Sequence, residues 1–79
     1  MEGLLITTLC DLPAGNACTI IGVDDSLPVK KRLDELGLFT GADIYKLQVG
    51  PQGNPVAVRV CGAVLALRAD DTRYISVAY

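Results

Sequence analysis

Seventy-nine residues, with seven Lys and Arg against nine Asp and Glu and a formal net charge of -2, leave room for one domain, expected over residues 1–79. Surface scaling implies that roughly 60% of the surface of such a chain is buried on folding. A composition 51% hydrophobic and 20% charged excludes a disordered tail. With no Trp and one Phe the core must be aliphatic, and the acidic pI near 4.7 argues against a nucleic-acid binder, whose affinity rests on a basic excess.

No apolar run is long enough to cross a bilayer, and Glu2 and Asp11 flank Leu4-Leu5-Ile6 too closely for a signal peptide. A cytoplasmic location is therefore expected. Cys10, Cys18 and Cys61 are odd in number and lack a Cys-x-x-Cys spacing, which fits a reducing compartment.

In chain order, Leu9, Leu12 and Pro13-Ala14-Gly15 suggest a helical turn closed by a bend. Ala17 to Val23 is rich in β-branched residues and reads as a strand, with Cys18 and Ile20 on one face and Ala17, Thr19, Ile21 and Val23 on the other. Asp24-Asp25-Ser26 opens the one convincing helix. Asp25 or Ser26 can cap it, and Pro28 falls where a missing N–H costs nothing. Val29, Leu33 and Leu36 form its apolar stripe. Gly37 stops it in a Schellman cap that brings Leu38 against Leu33.

Thr40-Gly41 fits the centre of a tight turn. Asp43 to Val49 resumes as a strand, with Tyr45, Leu47 and Val49 alternating against Ile44, Lys46 and Gln48. Residues 50–55, with two prolines, form a loop. Val56, Val58 and Val60 make an inward row, Cys61-Gly62 a two-residue hairpin turn, and Val64 to Arg68 the returning strand. Residues 69–72 read as one helical turn, and Arg73 to Val77 as the last strand. The fold expected is mainly β: a small five-stranded SH3-like barrel with one α-helix inserted in its first long loop.

At residues 32–41 the string Arg-Leu-Asp-Glu-Leu-Gly-Leu-Phe-Thr-Gly resembles the pattern R-L-x-E-L-G-L-x-x-G of the ferrous iron transport protein A (FeoA) family. Leu9-x-x-Leu12-Pro13-x-Gly15, Gly53-Asn54-Pro55-Val56, Leu65-Ala66-Leu67-Arg68 and Ile75-x-Val77 are similar to that family's flanking segments, so the resemblance covers nearly the whole chain. Thr40 stands where the family often has Pro, and Asn54 where Asp is usual. The resemblance implies an SH3-like cytosolic protein working beside the large permease that imports Fe2+, with that permease's cytosolic GTP-binding domain as partner and the membrane reached only through it. It also implies an alternative, because the same fold forms the C-terminal domain of iron-dependent transcriptional repressors: a metal-responsive module acting with such a repressor. A 79-residue chain beginning with Met is expected to be the transport protein rather than a repressor fragment.

Side-chain chemistry narrows the function. The chain has no His, which removes the commonest ligand of borderline metals and any Ser–His or Cys–His nucleophile pair. Cys18 and Cys61 read as buried small hydrophobes, and Asp24-Asp25 and Asp70-Asp71 as helix caps rather than cation ligands. No metal, cofactor or enzymatic activity is expected. An arginine supplied to a partner GTPase would have to be Arg32, Arg59, Arg68 or Arg73, and no spacing favours one of them. Phe39 and three tyrosines furnish a groove for proline-rich peptides poorly. The surface expected to bind a partner is the helix and the turn after it: Lys30, Lys31, Arg32, Asp34, Glu35, Leu38 and Phe39. Homo-oligomerisation is left open.

Overall fold

The computed structural model describes residues 5–24 and 30–79. Six antiparallel strands form one sheet: β1 Ile6–Thr8, β2 Asn16–Val23, β3 Asp43–Val49, β4 Val56–Val60, β5 Ala63–Leu67 and β6 Ile75–Ala78. Their order is β1-β6-β2-β3-β4-β5. Helix α1 (Lys30–Glu35) falls between β2 and β3, and the single turn α2 (Ala69–Thr72) between β5 and β6. Five strands were expected. The sixth is β1, whose Ile6, Thr7 and Thr8 pair with Ala78, Val77 and Ser76. Its β-branched run is short, yet an existing strand edge on β6 suffices to order it. The expected caps Asp25 and Ser26, together with Leu27, Pro28 and Val29, lie outside the described residues.

Alternation explains the core until two bulges change its phase. Cys18 and Ile20 point inward, and Ile20 sits opposite Val77. The β2–β6 register then shifts between Ile20 and Gly22, leaving Ile21 exposed and bringing Val23 opposite buried Ile75. Val23 therefore packs against the core, not on Ile21's side as strict alternation requires. The β3–β4 register shifts in the same way between Lys46 and Gln48. The valine row is as the spacing requires: Val56, Val58 and Val60 are all buried. Val60 pairs with Ala63 across Cys61-Gly62, whose φ values of 50° and 81° are those of a type I′ turn.

Cys18 is buried as expected, whereas Cys61 and the aspartates of α2 part from expectation. Cys10 is half-buried and Cys61 exposed, because Cys61 occupies the hairpin turn itself. Asp70 and Asp71 sit inside α2 rather than before it. The first N–H of that turn, from Ala69, is donated to Asn54 Oδ1 at 2.8 Å, so the cap comes from a loop fifteen residues upstream. Arg73 and Arg68 pair with the two carboxylates at 3.5 and 3.9 Å.

Burial pushes the Cys18 thiol up from 9.0 to about 11, with Lys46 opposing and Asp43 assisting the rise. The folded state thus holds its proton more tightly than the unfolded chain. The stability linked to this is complete below pH 9 and is lost as pH climbs towards 11. Urea unfolding across that window should show wild type losing of order 2 kcal/mol more than Cys18→Ala. Parallel pH profiles would contradict the assignment.

Candidate docking surface

Among the described residues helix α1 spans Lys30–Glu35 and buries one side chain, Leu33. Its end follows from Gly37. At φ +92° Gly37 adopts a left-handed conformation that side-chain-bearing residues rarely take. Its N–H is donated to Asp34 O at 3.1 Å, and the N–H of Leu38 to Leu33 O at 2.9 Å, the paired bonds of a Schellman motif. The chain reverses there and drives Leu38 into the core, where it is fully buried with Leu33.

The next turn is fixed as firmly. Ala42 donates to Phe39 O at 3.0 Å around Thr40-Gly41, and Gly41 has φ +95°, the geometry of a type II turn with glycine at its third position. Two bonds then tie this turn to β2: Gly41 N–H to Ile20 O at 2.7 Å and Ile20 N–H to Ala42 O at 2.9 Å. Phe39 is held at the start of this braced turn, 48% exposed.

The seven expected site residues divide accordingly. Lys31, Arg32, Asp34, Glu35 and Phe39 are exposed, and Lys30 is half-buried. Leu38 is not on the surface. Its place is taken by Leu36, read as core from its i+7 position but 40% exposed. The helix ends at Glu35, so the 3.6-residue period no longer applies one residue later. The glycine stop was the available signal for this. Lys30 pairs with Asp34 at 3.3 Å, both partly exposed, an i,i+4 contact worth at most about 0.5 kcal/mol. Lys31, Arg32 and Glu35 have no ion-pair partner among the described residues. Apolar Leu36 and Phe39 thus stand beside uncommitted charges of both signs.

Elsewhere the surface offers little chemistry. No group of three or more His, Cys, Asp or Glu among the described residues is placed to hold a metal ion. An open depression of about 360 Å³ is lined by Gly22, Val23, Asp24, Arg73, Tyr74 and Ser76, polar groups of mixed sign. Arg59 lies over the Tyr45 ring at 5.9 Å, and Arg68 and Arg73 face carboxylates. No described helix is long and apolar enough to cross a membrane.

The described residues form a small β-sheet domain with a braced turn exposed at its surface. Residues 7–79 match the FeoA domain family, and the chain belongs to that family. Among solved structures, the FeoA protein from Chlorobium tepidum is 32% identical over 91% of this chain and 69% of its own, with a TM-score of 0.83. FeoA from Stenotrophomonas maltophilia complexed with zinc, described as a prokaryotic SH3 domain protein, is 29% identical over 90% of this chain and 88% of its own, with a TM-score of 0.77. The manganese regulator SloR is 17% identical, covers 90% of this chain over 33% of its own, and has a TM-score of 0.78. That last likeness is one of fold alone. Among curated proteins none matches in sequence. The fold is SH3-like, and the family is one of ferrous iron transport, made of accessory rather than enzymatic domains.

Proposed function

We propose that this protein is a non-enzymatic cytoplasmic accessory module, a single FeoA-like domain that binds the cytosolic GTP-binding domain of a ferrous iron permease and regulates or assembles that permease. The observation that carries this reading is the exposure of Leu36 and Phe39 on a turn braced to the sheet, beside Lys31, Arg32 and Glu35. An apolar centre within a charged rim suits a transient protein interface. Lys30, Asp34 and the buried support from Leu38 complete the surface. Family membership supports the iron-transport setting, and the Stenotrophomonas maltophilia relative is itself described in terms of ferrous iron transport activation.

The test is capture of this protein by the immobilised cytosolic domain of the permease. Phe39→Ala should weaken capture at least about tenfold, as loss of a central aromatic anchor does. Lys31→Glu should weaken it less and in a salt-dependent way. Unchanged capture by both variants overturns the reading. A second reading, the alternative implied by the sequence resemblance, is a metal-responsive module acting with a transcriptional repressor. An adjacent gene for a large permease supports the first reading, and one for a helix-turn-helix protein the second.

A further inference from the structure

Lys46 is the most deeply buried charged residue among the described residues, with 2% of its surface exposed. Its ammonium donates to three backbone carbonyls of one turn: Leu9 O at 2.8 Å, Cys10 O at 3.0 Å and Leu12 O at 2.6 Å. The turn explains the convergence. Asp11 and Leu12 both donate their N–H groups to Thr8 O, at 3.1 and 2.9 Å, which forms a single helical turn. Like the last carbonyls of any helix, those that follow find no partner within it. Among the described residues none of the three accepts a hydrogen bond from any donor but Lys46. Leu9 and Leu12 are themselves buried, so water is kept from replacing it.

We infer that residues 9–12 form a monovalent-cation site of the ammonium class, and that the Lys46 side chain is its tethered occupant. Three neutral carbonyls at the distances of charge-assisted N–H···O bonds suit an ammonium or potassium ion, whose hydration shell such oxygens replace. Burial lowers the Lys46 pKa from 10.5, while Cys10, Asp11 and Cys18 resist the fall. All three belong to the turn or to β2. The hydrogen-bond partners of Nζ among the described residues are all carbonyl oxygens, and no thiol or carboxylate is bonded to it.

Shortening the side chain should therefore open the site to a free cation. In Lys46→Ala, thermal unfolding followed at equal ionic strength should show ammonium chloride raising Tm by about 5 °C over tetramethylammonium chloride. That shift corresponds to free cation at roughly five times its dissociation constant. Potassium should act similarly and sodium less. Lys46→Met, which fills the path with an apolar chain, should lose stability and gain none of it back with ammonium. Equal response to ammonium and tetramethylammonium, or an ammonium gain in the Met variant as large as in the Ala variant, overturns the inference. Should Lys46→Ala remain unfolded in every salt, the wild type decides. Retained, slowly exchanging Nζ protons at Lys46 in 15N spectra at neutral pH, against loss of those of Lys31, support the tethered cation, and their absence refutes it.

Discussion

Replacing Leu38 by Ala is expected to cost about 3 kcal/mol of folding stability, whereas Phe39→Ala, one residue on, should stay within about 0.5 kcal/mol of wild type. Leu38 is fully buried beside Leu33, and Phe39 is 48% exposed. Truncating the first leaves a cavity in a core whose remaining side chains are held by the sheet, so the loss includes both transfer and cavity terms. For a domain of this size the change corresponds to a fall in Tm of roughly 12–24 °C, a large share of the stability that a small domain commands. Urea unfolding of both variants, followed by circular dichroism, checks the pair. Equal destabilisation would mean that Phe39 folds back over the end of the sheet and is unavailable to a partner.

Gly37→Val should be comparably severe, at about 3 kcal/mol. Two effects add. At φ +92° a β-branched residue is strained by about 1–2 kcal/mol. A Cβ at this position would also lie 3.1 Å from Val60 Cγ1, within a valine row that has little room to yield. Because Gly37 carries the Schellman bonds that end α1, the variant should also disturb the turn bearing Phe39. Gly37→Ala, with the same left-handed backbone but no branch, should fall between Gly37→Val and wild type. Thermal melts of the three proteins give the ranking, and a Gly37→Val melt indistinguishable from wild type would remove the glycine stop from the account.

Local chemistry made much of this fold legible. The Gly37 stop, the Thr40-Gly41 turn, the Cys61-Gly62 hairpin and the inward row Val56, Val58 and Val60 each depend on a few neighbouring residues, and each stands where the sequence puts it. What escaped depends on partners distant in the chain. Strand β1 forms only because β6 offers an edge. The bulge at Ile21, which returns Val23 to the core, arises in the pairing of β2 with β6, and its one local mark is Gly22 inside the strand. Asn54 caps a helical turn fifteen residues away. Lys46 was half visible, since alternation sets it on the same side as buried Ile44. Its carbonyl partners, thirty-four or more residues upstream, were not. In the docking surface the exchange of Leu36 for Leu38 has the same origin as the helix stop. The apolar period was carried one residue past the end of α1.

The most direct measurement of the central claim is the amide chemical-shift footprint of this protein, isotope-labelled, on titration with the cytosolic GTP-binding domain of the permease. The largest changes should fall on residues 30–41, with Leu36 and Phe39 foremost, while Tyr45, Arg59 and Val64 on the sheet stay unmoved. A footprint centred on those sheet residues, or no shift at saturating partner, would contradict it.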